Sequence, residues 1–256
     1  MYEIKIAWFG KSPYQYELTH PYASFKNSDR YKLFKKEDMD YFDDFHLGLH
    51  FRMEIIYAIV KRINKNVSEF FVLWQKYKDF HPDWKRKEKY AKVINDGFRF
   101  DLLSDINSFL SEIKSFMDCM AYFNYVLLFA KPEEFRRMEN AKNKQYKSFE
   151  SQKKWLSKNI DQHKDIKEYI QNLEKNYAWF KSLRDVRTFI TTHYHTPCLK
   201  LFDDGETIKI YIQATSTSIR DEKKALFPFL TEILEGYKNY LTFYKQFIIK
   251  IFKEGV

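Results

Sequence analysis

DIKEYIQNLEKNYAWFKSLRDVRTFITT, residues Asp165 to Thr192, is the stretch on which the reading of this chain turns. Ile166, Tyr169, Ile170, Leu173, Tyr177 and Phe180 share one face at about 100° per residue, the repeat of a core-facing helix. The spacing predicts one long helix, stopped by Pro197. Continued along that face, the stripe meets Arg184, Arg187, Thr188 and Thr191, so it turns basic and hydroxylated while the helix goes on. Leu183, Val186 and Ile190 keep an adjoining face packed, and His193 and His195 follow at the helix end. Burying two guanidinium groups costs several kcal/mol unless they are paired. The face is therefore expected either to open into a polar cleft or to meet acids such as Asp185.

Working outward, Lys36 to about Lys65 carries Phe42, Phe45, Leu49, Ile56, Ile59, Val60 and Ile63 at helical spacing, and a shorter helix is expected from Ser68 to Phe80, closed by His81-Pro82. A long helix follows from Lys87 to Ala130, with a kink expected near Gly97. Pro132 then opens a short charged helix, PEEFRRMENAK. Asn143 to His163 is polar and Lys-rich, with a brief helical pattern around Trp155 and Leu156, and reads as a mobile excursion or lid.

The pattern changes in CLKLFDDGETIKIYIQ, about 198–213, where apolar and polar residues alternate on both sides of an Asp-Gly turn. That is a hairpin signature. Residues 221–253 then read as a final amphipathic helix with Pro228 in its first turns. The expected fold is mainly all-α: a helical bundle over 35–256 with one β-hairpin before the last helix, and an irregular N-terminal arm over 1–34 packed on it.

Composition supports this. Gly and Pro number only 6 each, too few for a sandwich, a barrel or a doubly wound sheet, while 25 Phe and 19 Tyr supply a large core. The formal charge of +9 suits an anionic partner, although Lys scattered among acids also serves simply to solvate helix faces. Cys119 and Cys198 make neither a disulfide framework nor a metal spacing. Together with a start, MYEIKIAWFGKSP, that lacks a signal-peptide pattern, they point to a cytoplasmic protein. The most apolar run, Phe116 to Ala130, is too short to span a bilayer and contains Asp118 and Asn124, so no membrane association is expected.

Arginine offers phosphate oxygens a permanently charged fork, and histidine takes and returns a proton near neutral pH. Together they can cleave RNA without a metal, the imidazole deprotonating the 2′-hydroxyl or protonating the leaving oxygen while the guanidinium stabilises charge on the phosphate. RTFITTH, Arg187 to His193, resembles the Arg-x4-6-His motif of the HEPN superfamily, helical bundles that include many prokaryotic ribonucleases and toxins. The resemblance covers chiefly this helix and the bundle class. It implies a catalytic pair Arg187 and His193, with Arg184, Thr188, Thr191 and His195 binding substrate. It also implies RNA as partner, a homodimer that joins two motifs into one site, an antitoxin-type protein partner in a toxin or anti-phage setting, and no cofactor. Thr188 stands where the family usually carries another polar residue, often Asn.

Two other readings compete. In one the chain is a non-catalytic helical interaction module whose Arg cluster is paired internally. In the other His46, His50 and Glu54, spaced by four on one helix face, hold Zn or Fe. Cys119, in the apolar MDCMAYF, reads as an inert core thiol, and no Gly-rich phosphate loop is present.

Overall fold

The computed structural model describes residues 18–80, 88–129, 148–158, 166–192, 199–203, 208–213 and 223–253. These are mainly helical: α1 (Thr19–Lys26), α2 (Asp29–Lys32), α3 (Lys36–Phe80), α4 (Glu88–Leu128), α5 (Phe149–Lys158), α6 (Lys167–Lys175), α7 (Ala178–Thr192) and α8 (Leu226–Lys253). A small sheet precedes α8, with β1 (Leu199–Asp203), β2 (Ile208–Gln213) and β3 (Lys223–Ala225). Backbone contacts divide the chain into two units. Among the described residues, the first is built on Ile56–Ser111 and Lys181–Ile233; the second on 18–55, Glu112–Phe180 and 234–253.

In the first unit the buried side chains are Ile56, Ile59, Val60, Ile63, Val67, Phe70 and Trp74 of α3, Leu102, Ile106, Phe109 and Leu110 of α4, Leu183, Val186 and Ile190 of α7, and the start of α8. The unbroken α3 stripe explains why the separate helices expected at 36–65 and 68–80 are one element. Val67 and Phe70 continue the buried face, and burial outweighs the weak helix propensity of Asn66, Val67 and Ser68. Asn66 adds a long-range tie, donating to Asp105 at 2.9 Å while Arg62 Nε donates to the same buried carboxylate at 2.5 Å. Helix α4 likewise runs through Gly97 as one element.

The expected hairpin is present. Leu199 pairs with Ile212, Leu201 with Ile210 and Asp203 with Ile208, burying Leu199, Ile210 and Ile212. A third strand was not legible in the sequence: Gln213 pairs with Lys223 and Tyr211 with Ala225. Helix α8 therefore starts at Leu226 instead of 221. The ring of Pro228, at the third helical position, would meet the carbonyl four residues earlier if the helix reached back.

The second unit holds the densest aromatic packing. Phe42 stacks on Phe123 at 5.0 Å, Tyr169 on Phe247 at 5.2 Å, and Phe116 meets Tyr237 edge-on at 5.2 Å. The described part of the expected irregular arm is helical. In α1 and α2, Tyr22 and Phe25 are buried and Ser28 caps α2 by accepting from the Tyr31 N–H. Trp155 and Leu156 lie in α5 as expected. Residues 1–17, the PEEFRRMENAK segment and the two ends of the expected lid, 143–147 and 159–163, lie outside the described residues. Among the described residues, no helix is long and apolar enough to cross a membrane.

Candidate functional site

The helix expected from Asp165 to Thr192 is two helices. Asn176 caps α6 with non-helical φ −108° and ψ 18°, its N–H returning to the Asn172 carbonyl at 3.0 Å, and α7 starts at Ala178. The segment has neither Gly nor Pro, so its sole local signal is the low helix propensity of Asn. The break corrects the expected stripe. Along α7 the buried face is carried by Phe180, Leu183, Val186 and Ile190, not by arginines. Arg184 and Arg187 are half-buried on the adjoining flank, where Thr188 and Thr191 are exposed.

The two arginines have different partners. Arg184 lies 3.3 Å from its neighbour Asp185, a partly exposed contact. Arg187 Nε donates to the hydroxyl of Ser111 on α4 at 3.1 Å. Among the described residues, no carboxylate lies within ion-pair distance of Arg187. A neutral acceptor fixes the guanidinium plane without cancelling its charge, and the outer edge of the fork keeps the geometry that suits phosphate oxygens. Thr191 Oγ1 donates back to the carbonyls of Arg187 and Thr188 at 3.0 and 3.1 Å, so its hydroxyl proton is engaged within the helix. His193 and His195 lie outside the described residues.

His46 and His50 are brought together without Glu54. Their Nε2 atoms are 3.2 Å apart, and the His46 ring stacks on Tyr22 at 4.1 Å and on Phe123 at 5.7 Å. At that separation the two rings can share one hydrogen bond, whose direction depends on their tautomers. Among the described residues, no group of three or more His, Cys, Asp or Glu is placed to hold a metal ion. Burial, reinforced by His50, pulls the His46 pKa down to about 4, although its ring also hydrogen-bonds the Leu18 backbone. Burial lowers His50 as well. Alongside, the Tyr22 hydroxyl donates to Asp43, which Lys26 meets at 2.9 Å.

A polar cluster lies in the second unit's core. Fully buried Asn124 donates to Tyr169 Oη at 2.6 Å and to Tyr240 Oη at 3.3 Å. Asn124 stood out in the sequence only as an interruption of an apolar run. Ser111, an ordinary helix serine, carried no signal. Cys119 is a free thiol pushed upward by burial, which suits its reading as an inert residue. Comparisons with protein-family models, with curated proteins and with solved structures find no match.

Proposed function

We propose that the chain acts on RNA as a HEPN-like, metal-independent endoribonuclease in which Arg187 and His193 are the catalytic pair. The observation that carries this reading is the setting of Arg187, held by Ser111 on a half-buried helix flank with no carboxylate partner among the described residues. The 2′-hydroxyl attacks phosphorus, a 2′,3′-cyclic phosphate forms and the P–O5′ bond breaks. His193 takes the 2′ proton while water protonates O5′, or protonates O5′ while water takes the 2′ proton, and Arg187 neutralises the phosphate. Arg184 and the exposed Thr188 flank the substrate path, and the net charge of +9 favours encounter with a polyanion.

The test is incubation with RNA in EDTA, comparing wild type with Arg187→Ala and His193→Ala. Cleavage by the wild type and its loss in both variants supports the reading. Equal cleavage by all three proteins, or none by well-folded wild type, removes it. A second reading, a non-catalytic interaction module, is favoured by the Arg184–Asp185 contact, which engages that arginine with a carboxylate. It predicts no cleavage and no RNA retention at physiological salt.

A further inference from the structure

Helix α3 presents a second face to solvent, opposite in character to its buried stripe. Leu47, Phe51 and Ile55 are 53%, 60% and 45% exposed, at successive turns of the same helix side. Ala58, also exposed, continues the row. Three large apolar side chains aligned on one exposed helix side form a patch of the kind that marks an association surface.

The charges at its two ends say what covers it. At about 100° per residue, Asp40 and Asp44 lie on this face before Leu47, and Arg62 and Lys65 lie on it after Ala58. All four are exposed. Arg62 uses Nε on Asp105 yet stays 53% exposed, and Lys65 is 72% exposed beside a surface pairing with Glu69 at 3.7 Å. These residues belong to one uninterrupted helix, so the helix repeat alone sets their order and spacing.

The row is self-complementary. Its midpoint falls at Arg52–Met53. Reversal about that point places Leu47 against Ala58, Phe51 against Ile55, Asp44 against Arg62 and Asp40 against Lys65, each within one residue of register. The steps of three and four residues match the seam spacing of helices packed at shallow angles. A parallel pair would instead oppose Asp44 to Asp44 and Arg62 to Arg62. The match also has an end, since Glu37 would face Glu69 beyond it.

We propose that α3 is an interface between two copies of this chain, paired antiparallel about a two-fold axis through Arg52–Met53, with Leu47, Phe51, Ile55 and Ala58 at its centre and Asp40–Lys65 and Asp44–Arg62 closing both ends. An isologous contact of this kind repeats every interaction twice. The inference does not depend on the RNA reading, because assembly is measured without RNA.

Sedimentation of the full chain at about 0.1 mM, where even a micromolar dimer is saturated, should give a dimer. Phe51→Glu should give a monomer with unchanged helicity, its side chain being exposed in the single chain, and with the lower unfolding temperature that loss of the partner brings. Asp40→Lys should weaken the dimer by about tenfold, since two pairs reverse sign at once. Adding Lys65→Glu to Asp40→Lys should restore it. A monomeric wild type overturns the proposal and leaves the face to a different protein partner. A dimer indifferent to Phe51→Glu, or an Asp40→Lys dimer that Lys65→Glu does not rescue, overturns this pairing.

Discussion

Arg187 on α7 is held by Ser111 on α4, 76 positions earlier, through one hydrogen bond from Nε to the serine hydroxyl. The acceptor is neutral, so the side chain is oriented while its charge stays available to an anion. Ser111 thus acts as a positioning residue for the proposed site.

Ser111→Ala should lower RNA cleavage by about tenfold, mostly in kcat, because a misplaced charge loses transition-state contact more than ground-state binding. Arg187→Lys should not restore activity, since the single ammonium nitrogen cannot both stay on Ser111 and present a planar fork to phosphate. A thermal melt of the Ser111→Ala protein close to that of wild type separates positioning from stability.

Stability in the second unit should depend on which buried polar group is removed. Asn124→Ala strips two buried tyrosine contacts and leaves a void, costing about 2–4 kcal/mol. Tyr244 Oη is buried with no hydrogen-bond partner among the described residues. Tyr244→Phe should therefore be neutral or stabilising by up to about 1 kcal/mol. Urea denaturation measures both.

Gly236 and Gly97 both sit inside helices, yet alanine should act on them in opposite directions. A Cβ at Gly236 would fall within the indole of Trp179, so Gly236→Ala should destabilise by about 1–3 kcal/mol despite the better helix former. Gly97 has open space around it, and Gly97→Ala should stabilise by about 0.5–1 kcal/mol. Melting temperatures of the two variants should move apart.

Acid should weaken the fold through His46. Its folded pKa of about 4 lies below the ordinary 6.5, so the unfolded chain takes up the proton first as pH falls. The stabilisation is complete above about pH 6.5 and fades toward pH 4, by on the order of 2–3 kcal/mol for this group. His50 acts in the same direction. His46→Gln, with no proton to gain, should flatten the loss of stability between pH 7 and pH 4. An unchanged slope would assign the acid sensitivity to other groups.

The helical class, the hairpin and the apolar faces of α3, α6 and α8 were legible because each rests on a short-range repeat. Alternation around Asp-Gly specifies a hairpin whatever lies nearby, and the scarcity of Gly and Pro leaves few places to end a helix. The continuity of α3 and the break at Asn176 were not legible. Both are settled by which side chains find a buried partner, and local propensity at these positions is too weak to decide.

What the sequence determined by itself is thus the mainly helical fold, the antiparallel pairing of Leu199–Asp203 with Ile208–Gln213, and a flank of α7 that gathers Arg184, Arg187, Thr188 and Thr191. Only the tertiary structure decided that Arg187 meets Ser111, that Asn124 is enclosed by Tyr169 and Tyr240, and that Lys223–Ala225 joins the sheet. The first set follows from periodicity within one element. The second depends on distant elements meeting face to face, which no local spacing encodes.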